Sequence, residues 1–207
     1  MTVAVSGQER AHITVRTYNT YNVSHQELSE ALTTAGDLLA SIGVDVRWRD
    51  CRVRSEIREH DGDRCGDARA IDELMVRIVR APRTLRDGDE LGFSYVDSVQ
   101  RSGALATVFA DRIHALASGG DTRAGTLLGR AMAHEMGHLL LGTTGHSPRG
   151  LMRQQWTVRS RLLDRGSQWQ FSSTDAAAIR SAAAERSAER LMLALRTPTP
   201  SSTSSRP

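Results

Sequence analysis

The stretch from about Thr122 to Leu141 predicts one long helix stopped by Gly142, and it constrains the fold more than any other. His134 and His138 sit four apart on it, so at 3.6 residues per turn both imidazoles leave from one face, one turn apart. Met132, Met136, Leu139 and Leu140 fall on other faces and supply packing that holds the helix. The chain therefore needs an apolar bed for this helix, and the remaining sequence reads as a sheet that supplies one.

His12 to Tyr18 alternates β-branched residues at Ile13, Val15 and Thr17 and predicts a strand. Ser24 with Glu27 three residues on is a capping box. Leu28, Ala31, Leu32, Ala35, Leu38, Leu39 and Ile42 follow at helical spacing, with Gly43 as the stop. Val44 to Arg49, Glu73 to Ala81, Leu91 to Asp97 and Ala104 to Ala110 predict four more strands, with turns at Asp87-Gly88-Asp89 and Ser102-Gly103. Thr143 to Gln170 is irregular, and an alanine-rich helix runs from near Ser173-Thr174-Asp175 to about Leu195. This order describes one α+β or α/β unit with a helix packed on a mostly buried sheet. A length of 207 residues suits one substantial domain. We place it at residues 12–196, after an extension of 1–11 and before a Pro/Ser/Thr-rich tail of 197–207 that is expected to be disordered.

Lysine is absent, so all 27 basic residues are arginine, which suggests a GC-rich genome. The arginines are interleaved with acids, as between Arg47 and Glu56, and not gathered with aromatics on one patch. A solvated surface is the expectation, and a nucleic-acid partner is not. The apolar runs are too short for a membrane span. Cys51 and Cys65 bracket a polar stretch that reads as a loop. A disulfide there would contribute ~3 kcal/mol by restricting the unfolded chain and would imply an oxidising compartment. Met1 to Gly7 has neither a basic n-region nor a long apolar core, so no signal peptide is expected at this start. Either a leader lies upstream and the protein is exported, the reading the cysteine pair favours, or the thiols are reduced in a cytosol.

His134-Glu135-Met136-Gly137-His138 has the H-E-x-x-H pattern, in which two histidines bind zinc and the glutamate acts as general base towards a water. The bland alternative is a pair of structural core histidines. A catalytic zinc needs three protein ligands and an open position. His146 is the leading third ligand, because Gly142 lets the chain leave the helix and about four residues at roughly 3.3 Å each can bring it back. A surface role for His146, or ligation by Glu185 or Glu189 from the last helix, are the competing readings.

The run HEMGHLLLGTTGHSPRGLM, from His134 to Met152, resembles the active-site segment of the metzincin metallopeptidases. That family carries H-E-x-x-H-x-x-G-x-x-H followed by a methionine-bearing turn beneath the zinc. Here the glycine comes one residue late and the third histidine two residues late. Ser147 to Met152 is similar to the matrixin branch, and Arg64-Cys65-Gly66 echoes the matrixin cysteine switch, although Cys51 offers Cys65 a partner.

The resemblance implies a metzincin-like fold: a twisted, mostly parallel five-stranded sheet with an antiparallel edge strand, an active-site helix and a C-terminal helix. It also implies one catalytic Zn²⁺ on His134, His138 and His146, Glu135 as general base, and Met152 in the Met-turn. Peptide or protein substrate would pair along the edge strand at Leu91, Gly92, Phe93, Ser94 and Tyr95. A bacterial branch of the family with an enlarged turn is expected. Tyr95 and Arg153 are the candidates for stabilising an oxyanion. The expected activity is zinc-dependent endopeptidase, and the alternative is a zinc-bearing binding module of the same fold without proteolysis. An arginine-rich nucleic-acid binder would show steep salt dependence.

Overall fold

Hydrophobic alternation builds the sheet. Ile13, Val15, Leu74, Val76, Ile78, Ala106 and Val108 are all essentially inaccessible to solvent. The strand registers set Val15 beside Leu74, Val76 beside Ala106 and Ile78 beside Val108. These residues therefore share one face, which buries them against helices. The computed structural model describes residues 10–51, 65–85, 90–156 and 166–196. Its strands are β1 (Ala11–Asn19), β2 (Val44–Asp50), β3 (Glu73–Val79), β4 (Gly92–Asp97) and β5 (Ser102–Phe109). Its helices are α1 (His25–Ala40), α2 (Ala110–Ser118), α3 (Ala124–Leu141) and α4 (Ser173–Arg196), with 3-10 turns at Arg83–Leu85 and Gly166–Trp169.

The strand order is β2-β1-β3-β5-β4. β1, β2, β3 and β5 pair in parallel, while β4 runs antiparallel to β5 at the edge. This is the mixed α/β architecture with an antiparallel edge strand that the sequence led us to expect. α3 packs against α1, β4 and β5, and α4 lies against β1 and α3. Among the described residues no helix is long and apolar enough to cross a membrane.

Several local expectations need correction. The hairpin loop between β4 and β5 lies at Ser98 to Arg101, not at Ser102-Gly103, which pair with Asp97 and Val96. The Asp97 carboxylate nucleates this loop by accepting the N–H groups of Val99 and Gln100 at 2.9 Å. α2 was not anticipated, since it is nine residues long and has no capping side chain at its start. Ala110, read as the end of a strand, opens that helix. Only half of the capping box forms on α1. Ser24 Oγ accepts the Glu27 N–H, but the Glu27 carboxylate turns away to His114 at 2.7 Å.

The arginines are not all solvated. Arg16 is 3% exposed and pairs with the equally buried Glu73 at 2.5 Å, and Arg49 holds the other carboxylate oxygen at 2.8 Å. Arg16 also donates to the main-chain carbonyls of Cys65 and Asp67. That clamps the segment behind Cys65 onto β1. Cys65 is disulfide-bonded to Cys51 across 14 positions, so its sulfur is not available as a switch thiolate. The loop expected between these cysteines, the Asp87-Gly88-Asp89 turn, the first residues and the Pro/Ser/Thr-rich tail lie outside the described residues.

Candidate metal centre

α3 ends where its sequence requires. Gly142 adopts the left-handed conformation, at φ 63°, and its N–H caps the His138 carbonyl. A side chain there would strike the Arg101 carbonyl of the β4–β5 loop, 2.1 Å from where its Cβ would stand, so this position needs glycine for space as well as for φ. Thr143 then folds back beneath the helix. His138 Nδ1 donates to the Thr143 carbonyl at 2.9 Å, and His134 Nδ1 donates to the Leu151 carbonyl at 2.8 Å.

The return segment is pinned from below. Ser147 donates its N–H to the Met152 carbonyl, and Leu151 donates to the Gln170 carbonyl. The Ser147 hydroxyl reaches both Asp175 carboxylate oxygens at 2.9 and 2.8 Å. Asp175 lies in the first turn of α4 and is buried, and Ser172 caps that turn by accepting the Asp175 N–H. Met152 is 1% exposed, and a Cβ on Gly137 would stand 2.5 Å from its sulfur. His146, the residue before Ser147, is thereby delivered to the other two histidines.

Ligand atoms of His134, His138 and His146 all lie within 4.8 Å of one another. The structure does not bring Glu185 or Glu189 to them, since both are exposed on α4. A carbonyl oxygen can only accept, so both buried histidines carry their proton on Nδ1 and present a bare lone pair at Nε2. These two Nε2 atoms face each other at 3.1 Å. Two lone pairs at that distance repel, and a cation between them removes the repulsion. The three imidazoles therefore fit a zinc ion, with carbonyl groups orienting two of them from behind.

Burial pushes His134 down to about 3 against the opposing Leu151 hydrogen bond, with smaller contributions from His138, His146 and Arg153. Burial also lowers His138 and His146. All three are neutral donors at neutral pH. Glu135, 6% exposed, is pushed up to about 7 by burial, and a hydrogen bond from Ser94 opposes the shift. Ser94 Oγ lies 2.7 Å from Glu135 Oε2.

A cavity of about 760 Å³ opens beside this cluster, walled by Gly92 and Ser94 of β4, Leu116 of α2, Ala131 of α3, and Trp156. Trp156 stands edge-on to His134 at 5.8 Å and to Trp169 at 5.0 Å. Arg153 donates to the Gly150 and Gln168 carbonyls and stacks on Trp169, which gives it a scaffolding place. Tyr95 is 59% exposed and packs on Phe93 on the face of β4 opposite Ser94. Leu91, Gly92, Phe93 and Ser94 line the cavity, and Tyr95 does not.

Sequence reasoning missed Asp175 and Trp156 and saw Ser94 only as part of a strand. A buried acid in the first turn of α4 could have drawn notice to Asp175, whereas nothing local marks the other two.

No protein-family model matches the sequence, and a search of curated proteins finds no match. Solved structures do. A zinc-dependent peptidase from Methanocorpusculum labreanum superposes with a TM-score of 0.51 at 15% identity, covering 80% of this chain and 99% of that one. An archaemetzincin from Methanopyrus kandleri gives 0.51 at 15% identity, covering 83% and 95%. Metalloproteinase-II from Bacteroides fragilis gives 0.52 at 9% identity, covering 85% of this chain and 55% of that one. The chain thus has the fold of zinc-dependent peptidases, with three histidines gathered where they can bind a metal ion.

Proposed function

We propose that the protein is a metzincin-like zinc metalloendopeptidase, with His134, His138 and His146 holding one zinc ion and Glu135 as the general base. The observation that carries this reading is the pair of Nε2 lone pairs facing each other at 3.1 Å, with a third imidazole beside them and a buried carboxyl next in sequence. A zinc ion in this donor set supplies Lewis acidity, lowering the pKa of a water and polarising a carbonyl. Glu135 takes the proton from the attacking water and passes it to the leaving nitrogen. Among the described residues β4 is paired only with β5, so its outer edge can accept an extended peptide as a further strand. Met152 takes the Met-turn place beneath the site, packed against Gly137. The Cys51–Cys65 disulfide favours an oxidising compartment.

The test is metal analysis together with cleavage of an unbiased peptide library. Wild type is expected to hold one zinc and cleave. His146→Ala is expected to lose the metal, and Glu135→Gln to keep it while turnover falls ~10²–10⁴-fold. Full zinc occupancy in His146→Ala removes the third ligand from the proposal. Stoichiometric zinc with no cleavage under any condition replaces the enzyme with a zinc-bearing binding module.

A further inference from the structure

We propose that Ser94 is the positioning residue for Glu135, and that Gly92 and Ser94 form a seat on β4 that holds the carboxylate in its working orientation. The inference rests on the peptidase reading above and deepens it. The strand that would carry substrate on its outer edge would also hold the base.

The geometry is that of a two-point clamp. Side chains alternate along β4, so residues 92 and 94 share a face. Phe93 and Tyr95 lie on the other face, with rings 5.1 Å apart. Ser94 stands opposite Ala106 and Gly92 opposite Val108, both fully buried on the helix-facing side of β5. The first point of the clamp is the Ser94 hydroxyl, 2.7 Å from Glu135 Oε2 and 2.8 Å from the main-chain carbonyl of the same residue. The single hydroxyl proton is shared between these two oxygens, so Ser94 Oγ sits between the end of a flexible side chain and the main chain of the same residue. The second point is Gly92. A Cβ there would stand 3.0 Å from Glu135 Oε1 and 3.1 Å from its Cγ, and 2.5 Å from the Thr107 carbonyl. The Thr107 carbonyl is what requires glycine here, and the bare face of Gly92 leaves Oε1 and Cγ of Glu135 room to lie against the strand. Among the described residues, Ser94 provides the one side-chain hydrogen bond to Glu135.

A glutamate loses considerable rotamer freedom when it is ordered, and a general base must hold its place to within hydrogen-bond reach of the proton it takes. A displacement of about 1 Å can cost ~10²-fold in rate. Ser94→Ala removes the tie but leaves the β4 main chain, which is what a substrate strand would bind. The loss should therefore fall on turnover and not on substrate affinity.

Two measurements decide the matter, both on the full chain. In the first, zinc-loaded Ser94→Ala is expected to lose roughly 10–100-fold in kcat with KM within about twofold of wild type and stoichiometric zinc. Ser94→Thr, which restores the hydroxyl, is expected to recover most of the rate. In the second, crystal structures of the metal-free variants are expected to show the Glu135 carboxylate off its seat in Ser94→Ala and on it in Ser94→Thr. Wild-type kcat in Ser94→Ala would overturn the proposal, as would an unmoved carboxylate in that variant. An equal loss in Ser94→Thr with its carboxylate still seated would overturn it too. If wild type cleaves no peptide at all, the peptidase reading falls, and the seat is judged by the carboxylate position alone.

Discussion

At the scale of residues, burial acts in opposite senses on neighbours in the same helix. It pushes His134 down to about 3 and Glu135 up to about 7, because each charged form loses its water. In the metal-free protein this sets a pH dependence of stability. Between about 6.5 and 3 the unfolded chain binds a proton at His134 that the folded chain refuses. The contribution is therefore complete above about 6.5 and is lost as pH falls. His138 and His146 act in the same direction. Glu135 opposes them, since its folded carboxyl keeps a proton up to about 7 and gains stability as pH falls towards 4.5. His134 and Glu135 nearly offset each other between pH 6.5 and 5, so the downward shifts of His138 and His146 set the sign. The Tm of metal-free protein is expected to fall between pH 6.5 and 5, and a scanning-calorimetry series showing a rise would contradict this balance. The spacing of His134, Glu135 and His138 was legible in the sequence because one helical turn fixes it. The Ser94 contact was not, since it joins residues 41 positions apart.

At the scale of elements, the third histidine depends on how α4 meets the segment after α3. His146 sits in irregular chain, and its neighbour Ser147 is fixed by the Asp175 carboxylate at the start of α4. Removing that carboxylate frees the segment without touching a ligand. Asp175→Ala is expected to weaken zinc affinity ~10–100-fold, as loss of an outer hydrogen bond to a metal site does. Chelator competition measures it, and unchanged affinity would show that the Met152 and Gln170 backbone bonds suffice. The principal strands and three of the helices followed from hydrophobic period and caps. α2 and the β4–β5 loop did not. One has no capping side chain, and the other is nucleated by Asp97, which reads in sequence as the last residue of a strand.

At the scale of the whole molecule, α1 and α3 pack together against the sheet and α4 meets β1 and α3, while buried charge occupies another part of the sheet. The Arg16–Glu73–Arg49 network holds the segment that follows Cys65, and the disulfide closes the same region covalently. Replacing both cysteines with serine is expected to lower the unfolding free energy by ~3 kcal/mol, the chain-entropy value for a loop of about this size. Urea unfolding of oxidised wild type against the double variant measures it, and equal stabilities would mean that the arginine network alone holds the region. The sequence by itself determined the two-histidine face of α3 with a carboxyl beside it, and the strands of the sheet, because helix and strands are written in periods of 3.6 and two residues; the parallel arrangement was implied only by the family resemblance. Tertiary structure alone decided which groups finish the site. His134 is oriented by a carbonyl 17 residues away, and Ser147 by an acid 28 residues away. Every residue carries a carbonyl and many carry a hydroxyl, so only packing selects the ones that meet.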